Sequence, residues 1–190
     1  MTHQPNNIYA GTQAAGADGT KLAWFAALGS TAPTDSTTAL TAAWFDCGLI
    51  TEDGFTSKAA TSSKDIKAFG STAVQRTLIT DQKYTFEMAF LEVNRYSMAV
   101  YHRLPIASIT PTGGAFSVTQ GTYSRQQYAM ILDTIDGANH IRYYCPNVEV
   151  TDLGDNKLSN GEAAEWAITV TAYPNSSGIA VQKFFLVTNA

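Results

Sequence analysis

The chain has 190 residues, enough for one full hydrophobic core and short of what two ordinary domains need. Only 15% of its residues are charged against 45% apolar, so Thr, Ser, Asn, Gln and Gly must cover much of the surface, and partners can bury part of it. A net charge of −4 without any basic run excludes a duplex-binding role, which rests on Lys and Arg neutralising phosphates.

Residues 1–18 are polar, lack the basic and apolar regions of a signal peptide, and read as a flexible arm on a single domain spanning 1–190. Strands are expected at 20–28, 44–50, 55–60, 65–69 and 73–80. "FDCGLITEDGF", residues 45–55, runs from apolar residues into an acidic Gly turn, with Asp53-Gly54 reversing the chain so that Leu49, Ile50 and Phe55 face the core. The stretch 52–72 is rich in Ser, Thr, Lys and Gly and reads as a long loop of the kind that is functional or orders on a neighbour. In "KYTFEMAF", Tyr84, Phe86, Met88 and Phe90 share one face, and Lys83, Thr85 and Glu87 the other. Asn94 is placed to cap a short helix in which Tyr96, Ala99 and Val100 have helical spacing, stopped by Pro105.

Further strands are expected at 114–119, 126–134, 139–145, 147–151 and 178–187, with a hairpin at "DTIDGANH". In "AEWAITVTAY", Trp166, Ile168 and Val170 oppose Glu165, Thr169 and Thr171, which places Trp166 in the core with Phe86 and Phe90. The pattern describes a mainly β protein, a β-sandwich with one packed helix.

Catalytic and metal signals are at noise level. Glu52 and Asp53 are adjacent, so on extended chain they point to opposite faces rather than across a cleft. Asp152, Asp155, Asn156 and Glu162 are oxygen ligands without EF-hand spacing and read as a hairpin tip rather than a calcium site. His3, His102 and His140 are scattered, and no Gly-rich phosphate loop or nucleophile elbow is present. Cys47 and Cys145 read as free buried thiols, and the sequon at Asn175 means little without a secretory signal. No apolar run is long enough to span a bilayer, and no enzyme, cofactor or metal role is expected.

Gly48, Ile50, Glu52, Asp53 and Gly54, then Asp65, Ile66, Lys67, Ala68, Phe69 and Gly70, then Glu92 and Asn94 before the helix, follow a family order. Over roughly 44–103 the chain resembles the major tail tube proteins of long, non-contractile-tailed bacteriophages, of the actinobacterial-phage type. The resemblance implies a structural virion protein, made in the host cytoplasm, whose six-fold rings stack into the tail tube. Sheets of neighbouring subunits would join into a ring β-barrel around a lumen that genomic DNA crosses without specific binding on its way into the host. The implied partners are further copies of the chain and other tail proteins such as the tail tip and tape measure.

It further implies that 52–72 is an inter-subunit loop carrying Glu52, Asp53, Gly54, Phe55, Asp65, Ile66, Lys67, Phe69 and Gly70. The polar strand faces supply lumen candidates in Lys83, Thr85, Glu87, Glu165, Thr169 and Thr171. The alternative is a carbohydrate-binding module of a phage or secreted fibre, with Tyr123, Tyr143 and Tyr144 stacking on sugars.

Overall fold

The computed structural model describes residues 9, 11–13, 15–16, 19–20, 22–156 and 158–188, with side chains described for 9, 11, 22–156 and 158–188. The described residues form eleven strands: β1 (Thr12–Gln13), β2 (Ala15–Gly16), β3 (Gly19–Thr20), β4 (Ala23–Ala27), β5 (Phe45–Asp46), β6 (Ile50–Lys67), β7 (Val74–Phe90), β8 (Tyr128–Asp136), β9 (Asn139–Leu153), β10 (Trp166–Ala172) and β11 (Gln182–Leu186). Among the described residues one helix, α1 (Arg95–Tyr101), interrupts them. The chain is thus mainly β with one short helix.

Nine strands join one antiparallel sheet, ordered β5-β4-β8-β9-β10-β7-β6, with β1 on β8 and β11 on β9. The sheet is rolled. Phe25 on β4 and Phe90 on β7 lie four strands apart, about 19 Å in a flat sheet at ~4.8 Å per strand. Their rings nevertheless meet edge to face at 6.3 Å. The sheet's two end strands, β5 and β6, are consecutive in the chain, and Cys47, Gly48 and Leu49 join them. There Cys47 N–H donates to the Ala23 carbonyl, and Leu91 N–H to the Leu49 carbonyl at 2.9 Å. Rolling turns one face inward, and that face carries Phe25, Ile50, Phe86, Phe90, Tyr128, Met130, Val150 and Val170 in one buried cluster.

The helix begins where the cap residue dictates. Asn94 Oδ1 accepts from the Tyr96 and Ser97 N–H groups, both at 2.9 Å, and Ser97 Oγ accepts from Asn94 N–H. Ser97 to Tyr101 are buried. The helix ends at Tyr101 with His102 as its C-cap, and Arg103 just beyond turns the chain with a left-handed φ of 57°, two residues before Pro105.

Several expected boundaries move. The segments expected at 139–145 and 147–151 form one strand through Pro146. The register with β8 shifts between Tyr128 and Met130, and β9 changes neighbour there from β11 to β10, so a residue without N–H is tolerated. Residues 114–119 form no strand, only the bridge Thr112–Ala115. At the 136–139 hairpin, Gly137 supplies φ 59° as the first turn residue.

The largest correction concerns 52–72. It is not a loop: 50–67 is one 18-residue strand and 74–90 its 17-residue partner. Polar alternation in Thr56, Lys58, Ser62 and Lys64 is compatible with a ribbon whose backbone is satisfied by cross-strand pairing, which composition alone does not reveal. Most of the arm expected over 1–18 lies outside the described residues. Within it, Tyr9 donates to Thr134 Oγ1 at 2.7 Å, and β1 pairs with Ile135 and Thr134.

Candidate functional site

β6 and β7 leave the sheet together. Every residue from Thr56 to Gly70 is exposed, and on the return strand Leu78 alone among 72–83 is partly covered. From Thr56 to Lys67 the ribbon reaches roughly 35–40 Å at about 3.3 Å per residue. An isolated two-stranded ribbon is marginal in water, because neither face is buried. Its tip is apolar as well as exposed: Phe69 is fully open to solvent, Ile66 and Val74 are exposed near the turn, and Ile79 is exposed further down the ribbon opposite Ser63. Gly70 turns the chain with φ 76°, and Thr77 Oγ1 donates to Asp65 Oδ1 at 2.8 Å.

At the base of the ribbon lies a wide bulge. Ile50 pairs with Phe90 and Phe55 with Met88, so Thr51, Glu52, Asp53 and Gly54 all stand opposite Ala89. The expected reversal at Asp53-Gly54 does not occur. Gly54 adopts φ 68° and the strand resumes in the same direction. Ile50 is buried and Phe55 packs on the core, whereas Leu49 is exposed, since its carbonyl rather than its side chain engages β7. Beside the bulge an open cleft of about 760 Å³ is lined by Leu22, Ile50, Phe55, Ile141 and Tyr143, with Glu52 and Asp53 at its edge.

The other face of the same strands is polar. Glu87 pairs with Thr56 and Thr169, Thr85 with Lys58 and Thr171, and Lys83 with Ala60. Directly paired residues share a face, so Lys83, Thr85, Glu87 and Thr169 form one continuous surface. Sequence reasoning missed Thr56, Lys58, Thr151 and Asp152, which complete it: Asp152 pairs with Thr169, and Thr151 Oγ1 lies 2.9 Å from Thr171 Oγ1. The alternation of 56–60 was the available signal for the first two. Glu165 precedes β10 and borders the same groove as Asp53, Glu87, Asp152 and Thr169. Thr171 lies on this face but is buried. Its cross-strand partner Glu149 accepts from Tyr123 Oη at 2.6 Å and Arg125 Nε at 3.0 Å, anchoring residues 119–126 beside it. Burial raises the Glu149 pKa, but these two bonds outweigh it and hold the carboxyl below its usual value.

Phe86 and Phe90 are fully buried, whereas Trp166 is half-buried. Trp166 stands across from Phe90, its ring edge-on to Tyr101 at 4.9 Å, so it seals the helix against the sheet rather than filling the centre.

The remaining candidates separate. Tyr144 packs edge-on to Trp44, Tyr143 lies against Phe55 and Phe86, and Tyr123 binds Glu149, so the three form no stacking platform. Among the described residues no cluster of His, Cys, Asp or Glu is arranged to hold a metal ion. Glu162 accepts from Ser159 Oγ. Cys47 and Cys145 are free and buried. Burial pushes both thiols up, with Asp46 and Glu92 adding to the effect at Cys47, so they are unreactive. No helix among the described residues is long and apolar enough to cross a membrane.

No curated protein matches the chain. A family model described as "Phage tail tube protein" matches residues 16–184, which takes in the ribbon, its basal bulge, the helix and the polar face. With nearly its whole length matched, the chain belongs to the phage tail tube protein family and is a structural component of the virion tail.

Proposed function

We propose that the protein polymerises into stacked hexameric rings forming the bore through which the phage genome passes into the host. The observation that carries this reading is the ribbon: an arm exposed on both faces, with an apolar tip, that the isolated subunit leaves without a partner. Six-fold symmetry comes from the resemblance to long, non-contractile tails of the actinobacterial-phage type. Assembly would take place in the host cytoplasm, with the tail tip and tape measure as further partners.

The polar face is the proposed lumen wall. Glu87, Asp152 and Glu165 meet there, against Lys58 and Lys83 further along. Repeated around each ring, that excess of carboxylates repels phosphates and lets DNA slide without adsorbing. The protein would then act mechanically and electrostatically rather than catalytically.

Electron microscopy of the purified chain, alone or nucleated by tail-tip complexes, tests the assembly, with hollow tubes expected. Glu165→Lys tests the wall: its tubes should form but eject DNA slowly, with the defect relieved by added salt. Normal ejection from assembled Glu165→Lys tubes would remove Glu165 from the lumen.

A further inference from the structure

The subunit carries a knob and a hole of matching character at opposite ends of one arm. The knob is the ribbon tip, where exposed Phe69 and Ile66 stand among three cations, Lys64, Lys67 and Arg76, against one carboxylate, Asp65. The hole is the open cleft of about 760 Å³ beside the basal bulge. Its floor is apolar, with Leu22, Ile50, Phe55 and Ile141, and among the described residues its ionisable lining is Glu52, Asp53 and two tyrosines. Among the described residues no Lys or Arg lines it, though Lys183 lies over the Tyr143 ring at 4.8 Å.

The geometry points to a contact in which Phe69 of one copy enters the cleft of the next copy, with the tip's lysines meeting Glu52 and Asp53. This rests on the assembly reading above and names the surface that drives it. The occupant must be a second copy, because the ribbon holds the tip roughly 30–40 Å from its own subunit's cleft at about 3.3 Å per residue. The cleft's size is that of sites that engulf small ligands, ample for one aromatic ring and a neighbouring aliphatic chain. Opposite charges around an apolar anchor set the register of docking, while burial of the ring supplies the adhesion. A knob and hole on different parts of one surface make a heterologous contact, which closes into a ring or propagates as a filament but does not stop at a dimer. The bulge also has a role here: by inserting Thr51 to Gly54 opposite a single residue, it projects two adjacent carboxylates where a regular strand would alternate them.

The test is a paired cysteine and a charge exchange. Ser57 lines the cleft and Thr72 is exposed beside Phe69, whereas the native cysteines are buried. Positions 57 and 72 lie about 30 Å apart along one ribbon, so a disulfide between Ser57→Cys and Thr72→Cys must join two chains. Oxidised tubes of this double variant should give a ladder of covalent oligomers. Glu52→Lys with Asp53→Lys, or Lys64→Glu with Lys67→Glu, should each raise the concentration needed for assembly at least tenfold. All four changes together should return it to within about threefold of the parent. Tubes that yield no ladder, or a fourfold variant as defective as either pair, overturn the contact while leaving the tube reading intact. A parent chain that never polymerises overturns both.

Discussion

Gly48 and Glu92 touch where the rolled sheet closes. A Cβ built on Gly48 would lie 2.3 Å from Glu92 Oε2 and 2.8 Å from Glu92 Cβ. Gly48 also has φ 81°, and Glu92 Oε2 accepts from the Leu49 N–H at 3.2 Å. The carboxylate thus replaces a strand partner for the tripeptide linking β5 to β6, and only a glycine leaves room for it.

Gly48→Ala should therefore cost about 2–3 kcal/mol, from the left-handed backbone together with displacement of Glu92. Swinging the carboxylate aside cannot fully relieve the clash, because the Glu92 Cβ is also too close. Urea denaturation measures this, and a loss below about 0.5 kcal/mol would mean that the junction is soft.

Asp133 and Arg142 form a buried bidentate pair at 2.7 and 2.8 Å, and Arg142 Nη1 also donates to the Asp35 and Thr38 carbonyls. Arg142→Met leaves Asp133 buried without its guanidinium and frees the 35–38 loop, so it should cost about 3–5 kcal/mol. Adding Asp133→Leu should recover part of the loss. Thermal melts of both variants decide it, and a double variant worse than the single one would contradict the argument.

Phe90→Ala should cost about 3–5 kcal/mol, since the ring is fully buried and meets Phe25 across the roll. Half-buried Trp166 should cost less, about 2 kcal/mol, when cut to Ala. The reverse order in chemical denaturation would mean that the helix seal, not the roll, dominates the core.

Trimming both strands of the ribbon together, by replacing residues 62–81 with Asn-Gly between Thr61 and Gln82, keeps the register of the remaining pairs. The melting temperature should shift by only a few degrees, because the removed side chains are almost all exposed, and tube formation should stop. Normal tubes from the trimmed chain would make the ribbon dispensable.

Glu149 has a folded pKa below its unfolded value, because the bonds from Tyr123 and Arg125 favour the charged form over the effect of burial. Its contribution is present above about pH 4.3 and is lost as pH falls through the folded value. Stability of the parent should therefore decline more steeply below pH 4.3 than that of Glu149→Gln, which is less stable at neutral pH. Parallel melting curves for the two proteins from pH 3 to 6 would show that the cluster around Glu149 contributes nothing to folding.

The amino-acid sequence by itself determined the local devices. Alternation in 83–90 and 166–171 assigned both faces of two strands, Asn94 announced the helix start, and Asp136-Gly137 announced a hairpin, because each depends on side-chain period or on a single backbone conformation. Only the tertiary structure decided what depends on neighbours distant in the chain. Pairing with β7 turned a Ser- and Thr-rich stretch into a ribbon, since its hydrogen bonds come from residues up to about thirty positions away. The β6–β7 register brought Gly48 opposite Glu92, and pairing of β9, β10 and β7 gathered Asp152, Glu87 and Glu165 around one groove. Thr171 shows the limit most plainly: its polarity and its face were legible, but not its burial, because what lies beside it is anchored through Glu149 by a segment some fifty residues earlier.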